Sequence, residues 1–353
     1  MRSSLPSTVG NRLDGLDLAR YFAFFGMVIV NFKVVMGAEG SGDLLSLITG
    51  SIEGRAAATF VVLAGIGLGL SGVKSINETI SVTIRRAVFL LVLGLLNTLV
   101  FDADILHYYA FYFFFGALLL SFSNRFLITG ILALNIIFVI LTLVLDYDSG
   151  WNWNEFSYID FWTPLGFIRN LFFNGWHPVI PWLGFLLFGI VLSRLPLAER
   201  SMQWKLIIGG LLSITVAELL STVVSPALKS IDAELLFFAS IQPVPPMPLY
   251  SLAGIGTAST VIGFCLLISK WAEQRGISGF LLPAGRQTLT LYIAHIIIGM
   301  GILEELEMLG GQTVTTAVMS AILFCVFATV YAIFWSKLFK RGPIEALMRK
   351  LTG

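Results

Sequence analysis

The sequence predicts an all-α membrane protein, a polytopic bundle of about ten transmembrane helices. Of its 353 residues, 57% are hydrophobic and only 12% are charged, and the mean hydropathy is +0.88. These values lie outside the range of soluble globular domains. Apolar runs that approach the length of about 20 residues needed to cross a bilayer recur along the whole chain. We therefore expect a single integral membrane domain that covers residues 1–353 and has the lipid bilayer as its main partner.

Ten apolar runs account for the predicted spans. They cover residues 17–36, 56–72, 86–101, 105–121, 126–145, 178–193, 205–224, 249–269, 287–303 and 314–336. The runs at 56–72 and 178–193 are short, which is typical of tilted or partly re-entrant segments. Residues 146–177 and 225–248 lie between runs and are expected to form two long loops on one side of the membrane.

The basic residues predict the orientation of the bundle. With ten spans, 18 of the 22 Lys and Arg residues fall on the side that carries both termini, and only Lys33, Arg55, Arg169 and Lys229 fall on the other side. Cytoplasmic loops of membrane proteins are enriched in Lys and Arg, so both termini are predicted to be cytoplasmic. The net charge of +1 gives no indication of a nucleic-acid partner.

Motifs of soluble enzymes and of metal sites are absent from the sequence. It contains no P-loop, HExxH or CxxC pattern, and Cys265 and Cys325 fall inside predicted spans as small apolar residues, so we expect no metal and no disulfide. The first span lacks a signal-peptide cleavage site and is expected to be retained. The segment LAGIGLGLSG follows no strand, and the four-residue spacing of its Gly65 and Gly69 predicts close helix packing instead of nucleotide binding.

Polar side chains inside the predicted spans mark the candidate site, because burying them in a membrane is costly. Asp17 and Arg20 are three residues apart at one end of the first span, so they share a helix face and can pair. Asn31 and Lys33 lie about 16–20 Å further along that helix. Glu218, in the seventh span, is a candidate proton-coupling group; the alternative is an acid that is protonated or paired with a neighbouring helix.

The sequence contains three histidines. His107 and His177 open predicted spans on the same side as Asn31 and Lys33, which indicates a site at that face. His295 lies near the middle of the ninth span. For each histidine, the alternative is a structural residue held by hydrogen bonds.

A basic cluster is predicted at the cytoplasmic face. Gly285 and Arg286 precede the ninth span, so its unpaired backbone N–H groups and a guanidinium face the same place, which favours a phosphate site. Arg12, Arg20, Arg85 and Arg86 belong to the same predicted basic mouth. The alternative is that these arginines only follow the enrichment of positive charge in cytoplasmic loops.

Aromatic residues are concentrated on the opposite side. Residues 146–177 contain four of the eight tryptophans, Trp176 among them. Tryptophans commonly form a belt at the membrane interface. The alternative function is a lid whose rings stack on a bound organic molecule, and both can hold together.

Several segments, taken in series, resemble the YeiB-like family of bacterial membrane proteins. The opening segment RLDGLDLARYFAFFGMVIVN resembles the N-terminal signature of that family, and DILHYYAFYFFFGALLL, PWLGFLLFGIVLSR, GRQTLTLYIAH and RGPIEALMRKLTG follow in the family's order. The resemblance spans nearly the whole chain and implies a protein of the cell inner (cytoplasmic) membrane. The YeiB-like family is more distantly similar to the heparan-alpha-glucosaminide N-acetyltransferase-like transmembrane acyltransferases.

That distant similarity implies transfer of an acyl group from cytoplasmic acyl-CoA to an acceptor, typically a sugar, across the membrane. Asn31 matches an active-site Asn of the acyltransferases. Their catalytic His lies in the outer loop that follows, whereas residues 32–55 of this chain contain no His. The resemblance therefore leaves the general base to be sought elsewhere in this sequence.

The leading hypothesis is a membrane-embedded acyltransferase with acetyl-CoA or another acyl-CoA as co-substrate and an extracytoplasmic or lipid-linked acceptor, such as a glycan. The expected general base is His107, with His177 second, and the expected oxyanion donors are Asn31 and Lys33. The expected cofactor-binding residues are Arg286, Arg20, Asp17 and Arg85. The alternative is a proton-coupled transporter or exporter of a small molecule, in which Glu218, His295 and Trp176 bind substrate or couple protons. The apolar surface permits a homodimer without requiring one.

Overall fold

The computed structural model describes residues 13–71 and 75–353. Arg2, Arg12 and Lys74, which the charge argument counts, lie outside this part of the chain, as does Gly72 of the glycine-rich segment. The described residues are almost entirely helical, which confirms the predicted fold class. A two-stranded antiparallel ladder joins β1 (Trp151–Asn152) to β2 (Ser157–Tyr158).

Fifteen α-helices follow one another in the described residues. The first eight are α1 (Asp14–Val35), α2 (Leu44–Ile52), α3 (Arg55–Gly69), α4 (Ile76–Asn97), α5 (Leu106–Leu119), α6 (Asn124–Val144), α7 (Pro164–Arg169) and α8 (Val179–Ser193). The others are α9 (Arg200–Ile231), α10 (Pro248–Gln274), α11 (Ser278–Gly285), α12 (Thr288–Ala294), α13 (Gly301–Glu305), α14 (Val314–Leu338) and α15 (Pro343–Thr352). Two π-helical segments, Asn170–Asn174 and His295–Met300, and the 3-10 helix Ala233–Ala239 complete the helical part.

Eight helical stretches of the described chain are long and apolar enough to cross a membrane. They are Asp14–Val35, Leu44–Gly69, Ile76–Asn97, Asn124–Val144, Arg200–Ile231, Pro248–Gln274, Thr288–Glu305 and Val314–Leu338. Pro164–Asn174 and Val179–Ser193 are bent by 51° where they meet, which agrees with the irregular span predicted at 178–193. The apolar helix α5 has 14 residues, fewer than the roughly 20 that a straight span requires. The multi-pass helical bundle is therefore confirmed, while the count of ten spans and the side of the termini stay predictions.

Helical structure extends into segments that were predicted to be loops. The short helix α2 precedes α3, and the Asp43 side chain caps it by accepting a hydrogen bond from Ser46 N at 2.7 Å. α9 continues to Ile231, beyond the predicted end at residue 224, and contains Pro226. Membrane helices tolerate an internal proline because neighbouring groups satisfy the freed carbonyl, so Pro226 does not end the helix.

Two glycines let α3 approach α8 closely, as their spacing predicted. A Cβ atom at Gly65 would lie 3.0 Å from the Cα atom of Gly189 and would overlap the carbonyl oxygen of Leu186. A Cβ atom at Gly69 would overlap the side chain of Ser193. Small residues are favoured at such crossings because they allow backbone-to-backbone contact in lipid.

The centre and the periphery of the bundle differ in burial. α1 packs against α3, α10, α12 and α14, and more than half of its spanning window is buried (56%), whereas α6 and α9 are only 17% buried over theirs. Since hydrocarbon side chains cover α6 and α9 on their exposed faces, these two helices face lipid. α1 therefore belongs to the interior of the bundle, together with the spans Leu44–Gly69, Pro248–Gln274 and Thr288–Glu305, which are buried to the same extent.

Candidate functional site

Three cavities adjoin one another in the interior of the bundle. The basic cavity, of about 330 Å³, is lined by Arg20, Met27, Phe60, Leu63, Ala64, Gly67, Leu68, Ser71, Thr83, Arg86, Leu90, Ile105, Leu106, Tyr109, Phe113, Thr288, Leu289, Tyr292 and Met348. The middle cavity, of about 40 Å³, is lined by Met27, Val30, Asn31, Gly54, Ala56, Ala57, Ala103, Ile105, His177 and Tyr292. The aromatic cavity, of about 310 Å³, is lined by Val30, Asn31, Lys33, Val34, Gly37, Ala38, Glu39, Glu53, Gly54, Ala103, Phe156, Trp176, His177, Pro243 and Val244.

Shared lining residues show that the three cavities lie next to one another in series. Met27, Ile105 and Tyr292 border both the basic and the middle cavity, and we call these three residues the neck. Asn31 and His177 border both the middle and the aromatic cavity. The series therefore leads from Arg20 through the neck to Asn31, which lies about 16 Å from Arg20 along α1.

The polar residues at both ends of α1 belong to this series. Arg20 lines the basic cavity, Asn31 the middle and aromatic cavities, and Lys33 the aromatic cavity. Arg20, Met27 and Asn31 are spaced by seven and four residues, which places them on one helix face. α1 is thus the common wall of the whole series.

At the basic end, the predicted cluster of Asp17, Arg20 and Arg286 forms, but as ion pairs. Arg20 Nη1 donates to Asp17 Oδ1 at 2.6 Å, and Arg286 Nε donates to Asp17 Oδ2 at 3.1 Å. Arg286 Nη2 also donates to Asp14 Oδ1 at 2.9 Å. Two carboxylates therefore compensate Arg286, which does not line any of the three cavities, whereas Arg20 does.

The start of α12, where a phosphate site was predicted, is capped by the chain itself. Oε1 of Glu345, on α15, accepts hydrogen bonds from the backbone N–H groups of Leu289 at 2.8 Å and Thr290 at 3.1 Å. The Thr290 hydroxyl donates to the second oxygen of the same carboxylate. A side chain 55 residues away thus takes the position expected for a phosphate, a contact that the local sequence of α12 could not reveal.

Arg86, and not Arg85, faces the basic cavity. Thr83, Arg86 and Leu90 all line it, and their spacing of three and four residues defines one face of α4. Arg85 is rotated by about 100° from Arg86 and is exposed. The face shared by Thr83, Arg86 and Leu90 is the sequence signal that distinguishes the two arginines.

His295 contacts Asn31 directly, although the two residues are 264 positions apart. His295 Nδ1 contacts the backbone oxygen of Tyr292, which can only accept a hydrogen bond, so Nδ1 carries the proton. Nε2 is then the acceptor, and Asn31 Nδ2 donates to it at 2.9 Å. His295 is fully buried and begins a π-helical segment, a local irregularity that is frequent at functional sites.

The aromatic cavity contains three further residues that the sequence singled out. His177 and Trp176 line it, and Lys33 Nζ donates to Glu53 Oε1 at 2.6 Å and to Thr49 Oγ1 at 3.1 Å. The charge of Lys33 is therefore paired inside the cavity wall. Glu53, which sequence reasoning did not select, brings the compensating carboxylate into the same cavity.

The Trp-rich stretch 146–177 is folded around Asn174. The Asn174 side chain accepts from the Tyr158 hydroxyl at 2.7 Å and donates to the backbone oxygens of Tyr147 and Ser149. Burial raises the pKa of Tyr158, which keeps its hydroxyl protonated as a donor. Of the four tryptophans in this stretch, Trp176 lines the aromatic cavity, so it is the one placed to stack on a bound molecule.

His107, the first choice for a general base, is enclosed beside the site. It is fully buried, and its Nδ1 lies 3.7 Å from Oδ2 of the equally buried Asp104. Oδ1 of Asp104 also accepts from Asn97 Nδ2 at 2.6 Å and from the Tyr292 hydroxyl at 3.1 Å. His107 lines none of the three cavities, so this cluster supports the neck through Tyr292.

Glu218 forms an ion pair with a residue of a neighbouring helix. The sequence offered this pairing as the alternative to a proton-coupling role. Its Oε1 accepts from Arg55 Nη2 at 3.1 Å, and the Glu218 side chain is 49% exposed while that of Arg55 is 9% exposed. Glu218 lines none of the three cavities. The pair therefore joins α3 to α9 at a distance from the candidate site.

The described residues contain no group of three or more His, Cys, Asp or Glu side chains arranged to hold a metal ion. Cys265 and Cys325 are buried free thiols on α10 and α14. The expectation of a site without a metal stays a prediction.

Two family models match the chain. The model described as heparan-alpha-glucosaminide N-acetyltransferase, catalytic, matches residues 12–220, more than half of the sequence. The model described as a protein of unknown function (DUF418) matches residues 191–353. Both matches agree with the resemblance to the YeiB-like family and its acyltransferase relatives. No curated protein matches the chain.

Proposed function

Because this chain belongs to the heparan-alpha-glucosaminide N-acetyltransferase family of membrane proteins, we propose that it is a membrane-embedded acyltransferase. The donor is a cytoplasmic acyl-CoA, most simply acetyl-CoA, and the acceptor is an extracytoplasmic or lipid-linked hydroxyl or amine. The observation that carries this proposal is the series of three cavities in which Asn31 lines the middle and the aromatic cavity, while the neck separates it from the basic cavity. Such a series allows a donor and an acceptor to approach one side chain from opposite ends of the bundle.

The basic cavity fits the donor. Arg20 and Arg86 lie in its wall, where they can bind the CoA phosphates. The enrichment of positive charge on this side supports a cytoplasmic location for this end. The rest of the wall is mainly apolar. The path of about 16 Å from Arg20 to Asn31 is close to half the roughly 30 Å hydrocarbon thickness of a bilayer, a length that the extended pantetheine arm can cover.

The aromatic cavity fits the acceptor. Trp176 supplies a ring for stacking, and the Lys33–Glu53 pair supplies polar contacts. His177 lies where the acceptor reaches Asn31, and it takes the role of general base ahead of the enclosed His107. Burial lowers the pKa of His177, so its imidazole is neutral before the reaction and has an unprotonated ring nitrogen that can accept the proton.

The reaction is a direct acyl transfer. The acceptor oxygen or nitrogen attacks the thioester carbonyl carbon while His177 takes its proton, and the Asn31 amide donates a hydrogen bond to the oxygen that becomes negative. The carbon–sulfur bond then breaks, and the CoA thiolate leaves and receives the proton from His177. The acceptor gains the acyl group, and CoA is released as the free thiol.

His295 orients Asn31 in this scheme. One N–H of the Asn31 amide donates to His295 Nε2, which leaves the second N–H of the same group for the thioester oxygen. A fixed donor is worth more than a mobile one because no reorganisation is needed when charge develops. His295 is thus a positioning residue in this reaction.

The proposal is tested with the purified protein in lipid nanodiscs. Acetyl-CoA binding is measured by calorimetry, and release of free CoA is followed by chromatography with amino-sugar, glycan and lipid-linked acceptors. We expect Asn31→Ala to lower CoA release by about 100-fold or more, as loss of an oxyanion donor does. Asn135→Ala is the matched control, because Asn135 lies on the lipid-facing helix α6, donates to the backbone oxygen of Ile131 and lines none of the three cavities.

Two results would contradict the proposal. One is an acyl-transfer rate that stays unchanged in both Asn31→Ala and His177→Ala. The other is absence of binding for acetyl-CoA and for longer acyl-CoAs. Solute flux in proteoliposomes that is lost in Glu218→Gln, without CoA release, would favour the transporter instead.

A further inference from the structure

The carboxyl-terminal helix α15 is too short to cross the membrane but has a continuous apolar face. Its 10 residues extend over about 15 Å, half of the roughly 30 Å hydrocarbon thickness of a bilayer. At about 100° per residue, its larger apolar side chains fall within an arc of about 140° of the helix. They are Pro343, Ile344, Leu347, Met348 and Leu351.

Only one edge of this apolar face packs against the protein. Ile344 and Met348 are half-buried against the hydrophobic core, and Met348 lines the basic cavity. Leu347 and Leu351, four residues apart, are 48% and 62% exposed. We call these two residues the leucine edge. It is an exposed apolar strip on a helix that does not span the membrane.

The residues before α15 place its start at the membrane interface. Only four residues separate the end of the spanning helix α14, at Leu338, from Pro343. Trp335, in the last turn of α14, stacks on Phe339 with a centroid distance of 4.5 Å, and its Nε1 donates to Arg341 O at 2.8 Å. Tryptophan is enriched at the boundary between membrane and water, so α15 begins close to the lipid headgroups.

The two ends of α15 contact two different spans. A Cβ atom at Gly342, directly before α15, would lie 2.7 Å from Thr290 Oγ1, in the first turn of α12. A Cβ atom at Gly353, directly after α15, would lie 3.4 Å from Arg85 Nη2, on α4. The helix therefore lies across α12 and α4 instead of extending away from the bundle, which keeps its whole length near the interface.

The charges around the leucine edge are positive. Lys340, Arg341, Arg349 and Lys350 are all exposed. Glu345 is the only acid among residues 339–353, and its carboxylate accepts hydrogen bonds from the start of α12. Positive side chains beside an exposed apolar strip are typical of helices that lie in the surface of an anionic membrane.

We propose that the leucine edge of α15 is inserted in the headgroup region of the adjoining leaflet, and that Lys340 and Lys350 bind anionic phospholipid there. This leaflet is on the side of the carboxyl terminus, which the sequence predicts to be cytoplasmic, and cytoplasmic leaflets carry anionic lipids. A helix with this arrangement gains from burial of its leucines and from the attraction between lysine and phosphate.

The contact connects the lipid to the basic cavity. Met348 lines the cavity from one edge of the apolar face, while the leucine edge contacts lipid. Lipid that holds the leucine edge therefore also holds this part of the cavity wall. The inference is independent of the ligand in the cavity, so its failure would leave the acyltransferase proposal unaffected.

The test uses a nitroxide spin label on Leu347→Cys, Leu351→Cys or Ala346→Cys in the full-length protein in nanodiscs that contain phosphatidylglycerol. Cys265 and Cys325 are each only 1% exposed, so the label reacts at the introduced cysteine. Electron paramagnetic resonance measures collisions of the label with oxygen, which concentrates in lipid, and with a neutral, water-soluble nickel chelate. Ala346→Cys is the matched control, because Ala346 is exposed on the same helix but lies outside the apolar arc.

We expect oxygen collisions to dominate at positions 347 and 351 and nickel collisions to dominate at position 346. Dominant nickel collisions at all three positions would overturn the proposal, because the leucine edge would then face water. Low collision rates with both reagents at 347 and 351 would also overturn it, since another protein segment or a second copy of the chain would then cover the edge.

The headgroup contact is tested separately with the label at position 351. The ratio of oxygen to nickel collisions should be higher in phosphatidylglycerol than in phosphatidylcholine nanodiscs. This difference should disappear at about 1 M salt, where electrostatic interactions are screened beyond roughly 3 Å, and also in the variant Lys340→Gln/Lys350→Gln. Equal ratios in the two lipids at low salt would overturn the binding of anionic phospholipid by Lys340 and Lys350.

Discussion

Replacing Gly65 by alanine is expected to push α3 and α8 apart. The new Cβ atom would lie 3.0 Å from the Cα atom of Gly189, whereas carbon atoms in favourable contact are about 3.5–4.0 Å apart. The helices must therefore separate by about 0.5–1 Å, and more to clear the Leu186 carbonyl oxygen, which the new atom would overlap. A gap of that size removes about a quarter to a half of each dispersion contact across the crossing.

The corresponding destabilisation is about 2–3 kcal/mol, within the range of overpacked cores. The assay is thermal unfolding of the purified protein in one detergent, followed by intrinsic fluorescence, at a fixed scan rate. Gly209→Ala on α9 is the matched control, because a Cβ atom there meets no heavy atom within 4 Å. It should keep the unfolding temperature or raise it slightly, since alanine favours helix over glycine by up to about 1 kcal/mol.

An unfolding temperature of Gly65→Ala equal to that of Gly209→Ala would refute the reasoning. It would mean that α3 and α8 are not in backbone contact in the membrane protein. α3 supplies part of the wall of the basic cavity, and α8 directly follows His177 in the chain. A true displacement of the two helices should therefore also weaken acyl-CoA binding.

Two further predictions concern the basic cavity. Glu345→Ala removes the hydrogen bonds by which α15 caps the start of α12, and each hydrogen bond to a charged group contributes about 1.5–3 kcal/mol. The backbone amides of 343–352 should then exchange hydrogen about tenfold faster or more. Unchanged exchange, measured by mass spectrometry, would show that Glu345 does not hold α15 against α12. Gly67→Leu should extend a side chain into the basic cavity, since a Cβ atom there meets only Arg20 Nη2, at 3.5 Å. We expect calorimetry to detect no acyl-CoA binding, while the unfolding temperature is not lowered. Retained affinity would show that the donor binds elsewhere, and Gly209→Leu is the control.

The sequence predicted the features that depend on local periodicity. The helical membrane bundle, the broken span near 178–193 and the packing role of Gly65 and Gly69 all follow from runs and spacings of a few residues. The same is true of the polar residues at both ends of α1, whose distance along the helix follows from its constant rise. Arg86 could have been separated from Arg85 by the face that it shares with Thr83 and Leu90.

Contacts between distant segments could not be predicted in this way. No local pattern predicts that His295 contacts Asn31 or that Glu345 caps the start of α12, because both contacts depend on how distant helices pack. For the same reason His107 was ranked before His177. His107 and His177 both precede helices on the same side of the bundle. Only the packing of the helices shows that His107 is enclosed beside Asp104 and that His177 lines a cavity.

The sequence by itself therefore determined that this protein is a membrane bundle and which residues along each helix are polar. The tertiary structure decided which of those residues meet. The physical reason is that hydrophobicity and helix geometry act over a few residues, whereas a cavity is the space left between helices that are far apart in the chain. Asn31 illustrates both parts. Its position along α1 follows from the sequence, whereas its contact with His295, in the π-helical segment that follows α12, depends on the packing of distant helices.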